Sequence, residues 1–287
     1  MDSADPLHRR ERTAPALSFG GVADAYDRAR PSYPAEAVRW LAGPPPASSG
    51  ANVLELGAGT GKLTEELVRQ GHRVVATDPV EEMLRHLVRR LPGTPAAIAA
   101  AERIPLRARS VDTVVGAQCF HWWDVERALP EIARVLRPGG HLSLTWNLRD
   151  ERIPWVRRLG ALIGTQEQQH DPTHALLSSN LFGFVETTSF RFWQPLDRDR
   201  LRDLVLSRSN IAMMTEAERE RVMGQVDAMY ESYGRGADGM LLPYVTRCYK
   251  AVVRPPSLAD DDRPDRPDPS RSSDDGGDAD ALLIDFQ

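Results

Sequence analysis

A short apolar strand that leads directly into three alternating glycines constrains the fold of this 287-residue chain more than any other feature. The segment spans residues 53–61 and reads Val-Leu-Glu-Leu-Gly-Ala-Gly-Thr-Gly, and a helical pattern follows at once. Glycine is needed where the backbone turns sharply after a buried strand and where a ligand approaches the main chain. Gly57, Gly59 and Gly61 therefore predict a nucleoside-binding turn at the end of a strand.

Strand and helix patterns alternate from this point on, which predicts right-handed βαβ units and an α/β fold. The expected sheet is mostly parallel and doubly wound, with ligands at the carboxyl ends of its strands. Asp124 is the expected N-cap of one helix, and residues 137–140 (Arg-Pro-Gly-Gly) are its expected stop. The predicted segments up to residue 147 are helices at 34–41, 62–70, 81–90 and 125–136, and strands at 52–56, 73–77, 96–99, 111–117 and 141–146.

Beyond residue 147 the pattern changes, and two strands follow each other without a βαβ crossover. This arrangement predicts an antiparallel addition at the sheet edge, giving seven strands in all, with helices at 198–230 inserted as a cap or lid. The predicted segments here are a helix at 155–163, a polar loop, a strand at 184–192, helices at 198–207 and 216–230, and a strand at 243–253.

The two ends of the chain differ in composition from the middle. Residues 1–18 are polar and aperiodic, and residues 254–287 are acidic and rich in Pro, Asp and Ser, so both ends are expected to be disordered. An apolar patch at 282–286 is either a docking peptide or incidental, and the sequence does not identify a partner for this tail. The other expected parts are one domain at 19–253, its core at 50–147, and cap or lid elements at 19–45 and 148–240.

Charge and cysteine content argue against several classes of protein. The formal charge is −5, but residues 255–287 hold ten Asp against three Arg, so residues 1–254 carry +2. A nearly neutral folded part gives no electrostatic footprint for a nucleic-acid backbone. Two cysteines are too few for a disulfide framework, and no apolar run is long enough for a signal peptide or a membrane span. We therefore expect a cytoplasmic protein that binds neither nucleic acid nor membranes.

Two common glycine motifs do not fit the turn. A phosphate-binding loop would need glycine at position 56 and a hydroxyl at position 63, where the chain has Leu56 and Leu63. The dinucleotide fingerprint would need a third glycine at position 62, where the chain has Lys62, and this makes NAD the weaker option.

Two acidic residues near the turn suggest how a nucleoside cofactor could be held. Asp78 lies 21 positions after Gly57 at the end of the second strand, where an acid can accept hydrogen bonds from both hydroxyls of a ribose. Glu55 lies within an otherwise apolar strand, and a carboxylate there is costly unless it is paired or meets a cation. A cofactor with an ammonium group would supply that cation.

Five ordered motifs over about residues 19–253 resemble those of class I S-adenosylmethionine-dependent methyltransferases. They are the turn at 53–61, Asp78 with Met83 after it, and the segments 101–106, 111–114 and 134–140. The N-terminal Phe19, Tyr26 and residues 30–34, together with residues 120–122, resemble the small-molecule branch that includes type 11 and trans-aconitate methyltransferase-like proteins.

This resemblance implies a Rossmann-like fold, S-adenosyl-L-methionine as the cofactor and a small-molecule substrate. Relatives often have an acid two positions before Glu102, where this chain has Ala100, so the adenine must rely on backbone groups and neighbouring contacts. The cofactor residues that the resemblance implies are Glu55, Gly57, Ala58, Gly59 and Gly61 for the methionyl end, Asp78 for the ribose, Pro79, Met83, Ala101 and Glu102 for the adenine, and in addition Tyr26, Arg30 and Gln118.

Residues 118–123 (Gln-Cys-Phe-His-Trp-Trp) follow the fourth strand and form the candidate reaction site. Their aromatic faces can stabilise a sulfonium or hold a planar substrate, although one or two of them could instead pack beneath the next helix. His121 could take a proton from a hydroxyl, hold a substrate carboxylate, or only orient the loop. The candidate catalytic residues are Gln118, His121 and Trp122. His170 and His174 flank a proline in a polar loop and lack a third ligand, so no metal is expected.

The sequence therefore predicts a methyltransferase that acts on a small molecule at oxygen, nitrogen or carbon, with carboxylate or hydroxyl acceptors slightly favoured. Two alternatives stay open at this point. A NAD-dependent oxidoreductase would share the strand, the glycine turn and Asp78 but would lack the third glycine. A cofactor-binding module without catalytic activity would act on a partner through its acidic tail.

Overall fold

The computed structural model describes residues 30–43, 50–164, 171–233 and 239–255. Its helices are α1 (Ala35–Ala42), α2 (Lys62–Arg69), α3 (Glu81–Arg90), α4 (Val125–Val135), α5 (Pro154–Ile163), α6 (Thr173–Ser178), α7 (Arg198–Leu206), α8 (Ser209–Ala212) and α9 (Glu216–Tyr233). Its strands are β1 (Asn52–Leu56), β2 (Arg73–Asp78), β3 (Ala96–Ile98), β4 (Val111–Ala117), β5 (Leu136–Arg149), β6 (Phe182–Leu196) and β7 (Met240–Val253). The strands form one sheet in the order β3-β2-β1-β4-β5-β7-β6.

The middle of this sheet is buried on both faces. All five residues of β1 are buried, and β2 is buried apart from its first residue. Continuous burial of this kind is typical of parallel strands that are covered by helices on both sides. β1 pairs in parallel with β2 and β4, so Glu55 lies between Ala76 and Val115. The predicted Rossmann-like, mostly parallel α/β fold is confirmed.

β7 runs antiparallel to both of its neighbours, β5 and β6. The predicted antiparallel addition is therefore confirmed, with β6 forming the edge of the sheet outside β7. Both strands are longer than the sequence pattern indicates, and their extensions pack with the later helices in a second apolar cluster. That cluster includes Val156, Leu159 and Ile163 of α5, Leu201, Leu204 and Val205 of α7, Met223, Val226 and Met229 of α9, and Leu242 and Tyr244 of β7.

The Arg-Pro-Gly-Gly segment at 137–140 lies within β5 as an irregularity. α4 ends at Val135, and the pairing of β4 with β5 shifts register so that Val111 pairs with Leu136 and Thr113 with His141. A Cβ atom at Gly140 would lie 2.8 Å from the carbonyl oxygen of Asp112, which explains the glycine. The helix therefore ends just before this predicted stop, and the strand begins at Leu136 instead of at the predicted residue 141.

Two short helices were not expected from the sequence. α6 lies in the segment predicted as a polar loop, and α8 follows α7. α6 buries Leu176 completely in the main core cluster, together with Phe182 of β6. One buried side chain gives no helical periodicity, so tertiary packing decides these short elements. Within the described ranges, no helix combines the length and apolar character needed to cross a lipid bilayer.

Candidate active site

A cavity lies at the carboxyl ends of β1, β4 and β5, beside the glycine turn. The space inside it is about 620 Å³ when the part that is open to solvent is included. Six of the residues predicted to bind a cofactor line it, namely Arg30, Glu55, Gly57, Ala58, Gly59 and Gln118. The other residues around it include Tyr33, Thr60, Lys62, Leu63, Asn147, Arg149, Leu204 and Tyr244.

The three glycines of the turn have different roles, although all have a positive φ angle. A Cβ atom at Gly57 would lie 2.7 Å from the Cβ of Cys119, and one at Gly61 would lie 2.9 Å from the Cγ of Leu87. Both glycines are therefore required by close packing within the protein. Gly59 has nothing within 4 Å of the place of its Cβ, so the turn leaves room for a ligand at this position.

Glu55 is a buried carboxyl group in the wall of the cavity, with 1% of its surface exposed. Its Oε2 accepts a hydrogen bond of 2.6 Å from the Thr64 hydroxyl at the start of α2. Burial raises the pKa of Glu55 to about 8, Thr64 opposes this rise, and the negative charge of Asp78 adds to it. Glu55 therefore holds a proton near pH 7 until a cation in the cavity favours the carboxylate.

Asp78 connects the glycine turn to the end of β2. Its Oδ2 accepts a hydrogen bond of 2.9 Å from the Gly59 N–H, and its Oδ1 accepts one of 2.8 Å from the Val80 N–H. Burial raises the pKa of Asp78, and these two backbone donors oppose the rise. Each carboxylate oxygen can accept more than one hydrogen bond, so Asp78 can hold the turn and a ligand hydroxyl together.

The remaining residues predicted near the adenine lie outside the cavity lining. Met83 is buried against Val80, and Pro79 is exposed at the end of β2. Ala101 is part of the main core. The Glu102 carboxylate accepts a hydrogen bond of 2.7 Å from the Asp124 N–H and so fixes the start of α4. Asp124 occupies the predicted N-cap position, but its side chain makes no capping hydrogen bond.

Gln118 lines the cavity in a left-handed backbone conformation, with a φ angle of 59°. Its N–H donates to the Thr145 carbonyl at 2.9 Å, and its side-chain Nε2 donates to the Asn147 carbonyl at 3.3 Å. A residue other than glycine adopts this conformation at an energetic cost, and such residues are frequent at functional sites. The structure thus places the predicted Gln118 at the cavity and connects it to β5.

Comparison with known proteins gives the family of this chain. Residues 54–144 match the model of a methyltransferase domain. An uncharacterized methyltransferase of Mycobacterium tuberculosis is 45% identical over 241 residues, which cover 83% of this chain and 96% of that protein. The chain belongs to the class I methyltransferases. The predicted family is confirmed.

Two further proteins show how far the similarity of this methyltransferase extends. The solved structure of a candidate type II methyltransferase from Anaeromyxobacter dehalogenans is 25% identical, with a TM-score of 0.58, and the match covers 78% of this chain and 97% of that one. A malonyl-[acyl-carrier protein] O-methyltransferase of Methylococcus capsulatus is 35% identical over 154 residues, which cover 48% of this chain and 54% of that protein.

The aromatic segment after Gln118 packs mainly into the core of the methyltransferase. Phe120 and Trp123 are buried in the main cluster, with ring centroids 5.3 Å apart, and Phe120 also contacts Trp146. His121 and Trp122 lie in a 3₁₀ turn, half-buried, with ring centroids 4.7 Å apart. Neither of these two residues lines the cavity. Their catalytic role stays a prediction.

The methyltransferase cavity also contains residues that the sequence did not indicate. Asn147 and Arg149 come from the carboxyl end of β5, Tyr244 from the start of β7, and Leu204 from α7. Asn147 and Arg149 could have been predicted as site residues, because they are polar residues at the carboxyl end of a buried strand. Tyr244 and Leu204 gave no local signal, because only the packing of distant segments brings them to the cavity.

Arg149 is a buried cation in the same wall, with 2% of its side chain exposed. Its Nη2 donates to the Gly164 carbonyl at 2.7 Å and to Glu151 Oε1 at 3.4 Å. Burial lowers the pKa of Arg149, and the nearby charge of Arg30 lowers it further. Burial raises the pKa of Tyr244, an effect that Arg149 and Arg30 oppose.

Several predicted residues and segments of the methyltransferase lie outside the described residues. They are the proposed cofactor residue Tyr26, Phe19, the N-terminal segment 1–18, His170 and the acidic tail from residue 256 onward. Among the residues that the structure does describe, no group of three or more His, Cys, Asp or Glu side chains is arranged to hold a metal ion.

Proposed function

We propose that this protein binds S-adenosylmethionine in the cavity beside the glycine turn and transfers its methyl group to a small-molecule acceptor. The observation that carries this proposal is Glu55, a buried acid in the cavity wall whose pKa is raised to about 8. An acid in this position is stabilised as a carboxylate by a ligand that brings a cation. The amino group of a methionyl moiety is such a cation, and the chain belongs to a family of methyltransferases.

The residues present fit the methionyl and ribose parts of this cofactor. Ionised Glu55 would pair with the amino group, while Thr64 orients the carboxylate through its 2.6 Å hydrogen bond. Gly59 leaves the space that a side chain would otherwise fill. Asp78 would accept hydrogen bonds from the ribose hydroxyls while it holds the turn. When bound, the cofactor supplies an electrophilic methyl group on a sulfonium.

The contribution of the chain to the transfer would be orientation and the exclusion of water. Leu63 of α2 and Leu204 of the cap helix α7 contribute apolar surface to the cavity lining. Gln118, which follows the end of β4, is the one of the three predicted catalytic residues that lines the cavity, so it is proposed to contact the acceptor. His121 and Trp122 are proposed as neighbours of the acceptor, and variants at these two positions test that role.

An oxygen acceptor, either a carboxylate or a hydroxyl, is the proposed target. The cavity is lined by several polar and charged side chains, which suits a polar acceptor better than an apolar one. The relative from Methylococcus capsulatus is named as an O-methyltransferase for malonyl-[acyl-carrier protein]. Both points favour oxygen over carbon as the accepting atom.

Isothermal titration calorimetry with S-adenosylhomocysteine tests the cofactor assignment on the full chain. We expect saturable binding that Glu55→Gln weakens by about 10-fold or more, because a charge-assisted hydrogen bond is lost. Glu81→Gln is the matched control, since Glu81 is an exposed acid paired with Arg85 on α3. No binding to the unmodified protein, or equal affinities for all three proteins, would contradict the proposal.

A further inference from the structure

The cavity has an acidic side and a basic side. Glu55 lies at the glycine turn, whereas Arg149 and Arg30 lie in the wall formed by β5 and the segment before α1. Arg208 follows α7 and is not among the residues that line the cavity. Its charge, like those of Arg149 and Arg30, opposes the rise in the pKa of the buried Tyr244.

Arg149 is the most deeply buried of these three arginines. Taking a guanidinium out of water is costly, and contacts that include the Gly164 carbonyl and, at a longer distance, Glu151 hold Arg149 in the cavity wall. The five N–H donors of a guanidinium allow it to hold backbone oxygens and a ligand carboxylate at the same time. A buried cation in the wall of a cavity is typical of a site that receives an anion.

Arg149 and Glu55 are separated both across and along the sheet. β4 lies between β1 and β5, and neighbouring strands are about 4.8 Å apart, so the strand of Arg149 lies about 10 Å from that of Glu55. Glu55 is level with Val115 and, through it, with Ser143, whereas Arg149 lies further along β5 by about 20 Å at about 3.3 Å per residue. Tyr244 pairs with Arg149 in the ladder and lies one strand further. Gln118, at the end of β4, lies between the two sides. A ligand group on Arg149 is therefore separate from one on Glu55.

We infer that the methyl acceptor is a small organic acid whose carboxylate is held by Arg149, with the Tyr244 hydroxyl beside it. This inference rests on the proposed function, since it assigns Glu55, the glycine turn and the predicted cofactor residue Arg30 to the cofactor and leaves Arg149 to the acceptor. Arg149 and Tyr244 then determine specificity, because they select acceptors that carry a negative charge. The rest of the acceptor then extends from Arg149 toward Gln118.

Two matched panels of acceptors test the charge requirement with the full chain. One panel holds small carboxylic acids and the other the corresponding primary amides, and transfer is followed with tritium-labelled S-adenosylmethionine. We expect transfer to members of the acid panel and none to their amides. Comparable transfer to the amides, or no transfer to any acid while S-adenosylhomocysteine still binds, would overturn the inference. Absence of S-adenosylhomocysteine binding would instead remove the proposed function.

Variants then test the two anchoring residues with the best acid from that panel. Arg149→Met and Tyr244→Phe should raise KM for the acid, by about 10-fold or more for Arg149→Met, and leave the affinity for S-adenosylhomocysteine unchanged. Arg149→Lys should recover part of the loss. Arg152→Met is the control, because Arg152 is a nearby arginine in the sequence that is exposed and paired with Asp150.

The calorimetric affinity also separates the two ligands that could occupy Arg149. An affinity for S-adenosylhomocysteine that falls in Arg149→Met, with an unchanged thermal unfolding midpoint, would assign Arg149 to the carboxylate of the cofactor and overturn the inference. An unchanged KM in Arg149→Met would overturn it as well. Since Arg149 is buried and bonded to Gly164, this variant can unfold, and the comparison of acids with amides decides the question in that case.

Discussion

Binding of S-adenosylhomocysteine should release close to one proton per molecule of protein near pH 7. Burial raises the pKa of Glu55 from 4.5 to about 8, so about 90% of the ligand-free protein carries a proton on this residue at pH 7. An amino group placed beside Glu55 favours its carboxylate and displaces that proton. The expected release is therefore about 0.9 proton at pH 7, and it falls toward zero as the pH rises above about 8.

Calorimetry in two buffers at the same pH measures this release. The observed heat contains the heat of buffer protonation, so titrations in phosphate and in Tris differ in proportion to the number of protons released. Glu55→Gln has no proton to release at this position and serves as the comparison. Equal heats in both buffers for the unmodified protein, after correction for dilution, would refute the assignment of a protonated Glu55 to the methionyl site.

Three further predictions concern the same turn. Because the pKa of Glu55 is 4.5 in the unfolded chain and about 8 in the ligand-free folded protein, protonated Glu55 stabilises the fold fully below pH 4.5, and this stability is lost as the pH rises from 4.5 to about 8. Glu55→Gln should therefore raise the free energy of unfolding by about 3 kcal/mol at pH 7 and leave it unchanged at pH 4, as measured by urea titration. Asp78→Ala should weaken S-adenosylhomocysteine binding by about 1–3 kcal/mol in calorimetry, because ligand hydroxyls lose their acceptor, and unchanged affinity would contradict the ribose assignment. Gly57→Ala should lower the free energy of unfolding by about 1–3 kcal/mol more than Gly59→Ala does, because both positions have a positive φ angle that strains alanine, but only at Gly57 would the Cβ meet a neighbour, the Cβ of Cys119 at 2.7 Å. Gly59→Ala should in addition weaken S-adenosylhomocysteine binding, and equal losses of stability in the two variants would contradict this distinction.

The acidic side of the site could be predicted from the sequence because its parts are local. β1, the glycine turn and the start of α2 are continuous in the chain, and Asp78 follows one strand later. A fully buried strand and the glycines that follow it leave a clear pattern in a single window of residues. The packing roles of Gly57 and Gly61 could not be predicted from the sequence, since the neighbours that leave no room for a side chain, Cys119 and Leu87, come from other parts of the chain.

The basic side could not be predicted in the same way. Tyr244 reaches the cavity only because β7 pairs with β5, and Leu204 reaches it only because α7 packs against β6 and β7. Long-range pairing of this kind has no signature in a short window of sequence. Likewise, the sequence showed an acid at Glu102 but could not show that its carboxylate is bonded to the Asp124 N–H.

The most direct test of the central claim is methyl transfer from tritium-labelled S-adenosylmethionine by the full chain, with small-molecule acceptors, in parallel with Glu55→Gln and Glu81→Gln. We predict labelled small-molecule product with the unmodified protein and with Glu81→Gln, and a strongly reduced rate at limiting cofactor with Glu55→Gln. Equal rates for all three proteins, or the absence of S-adenosylmethionine binding, would contradict the claim that the cavity beside the glycine turn holds the methyl donor.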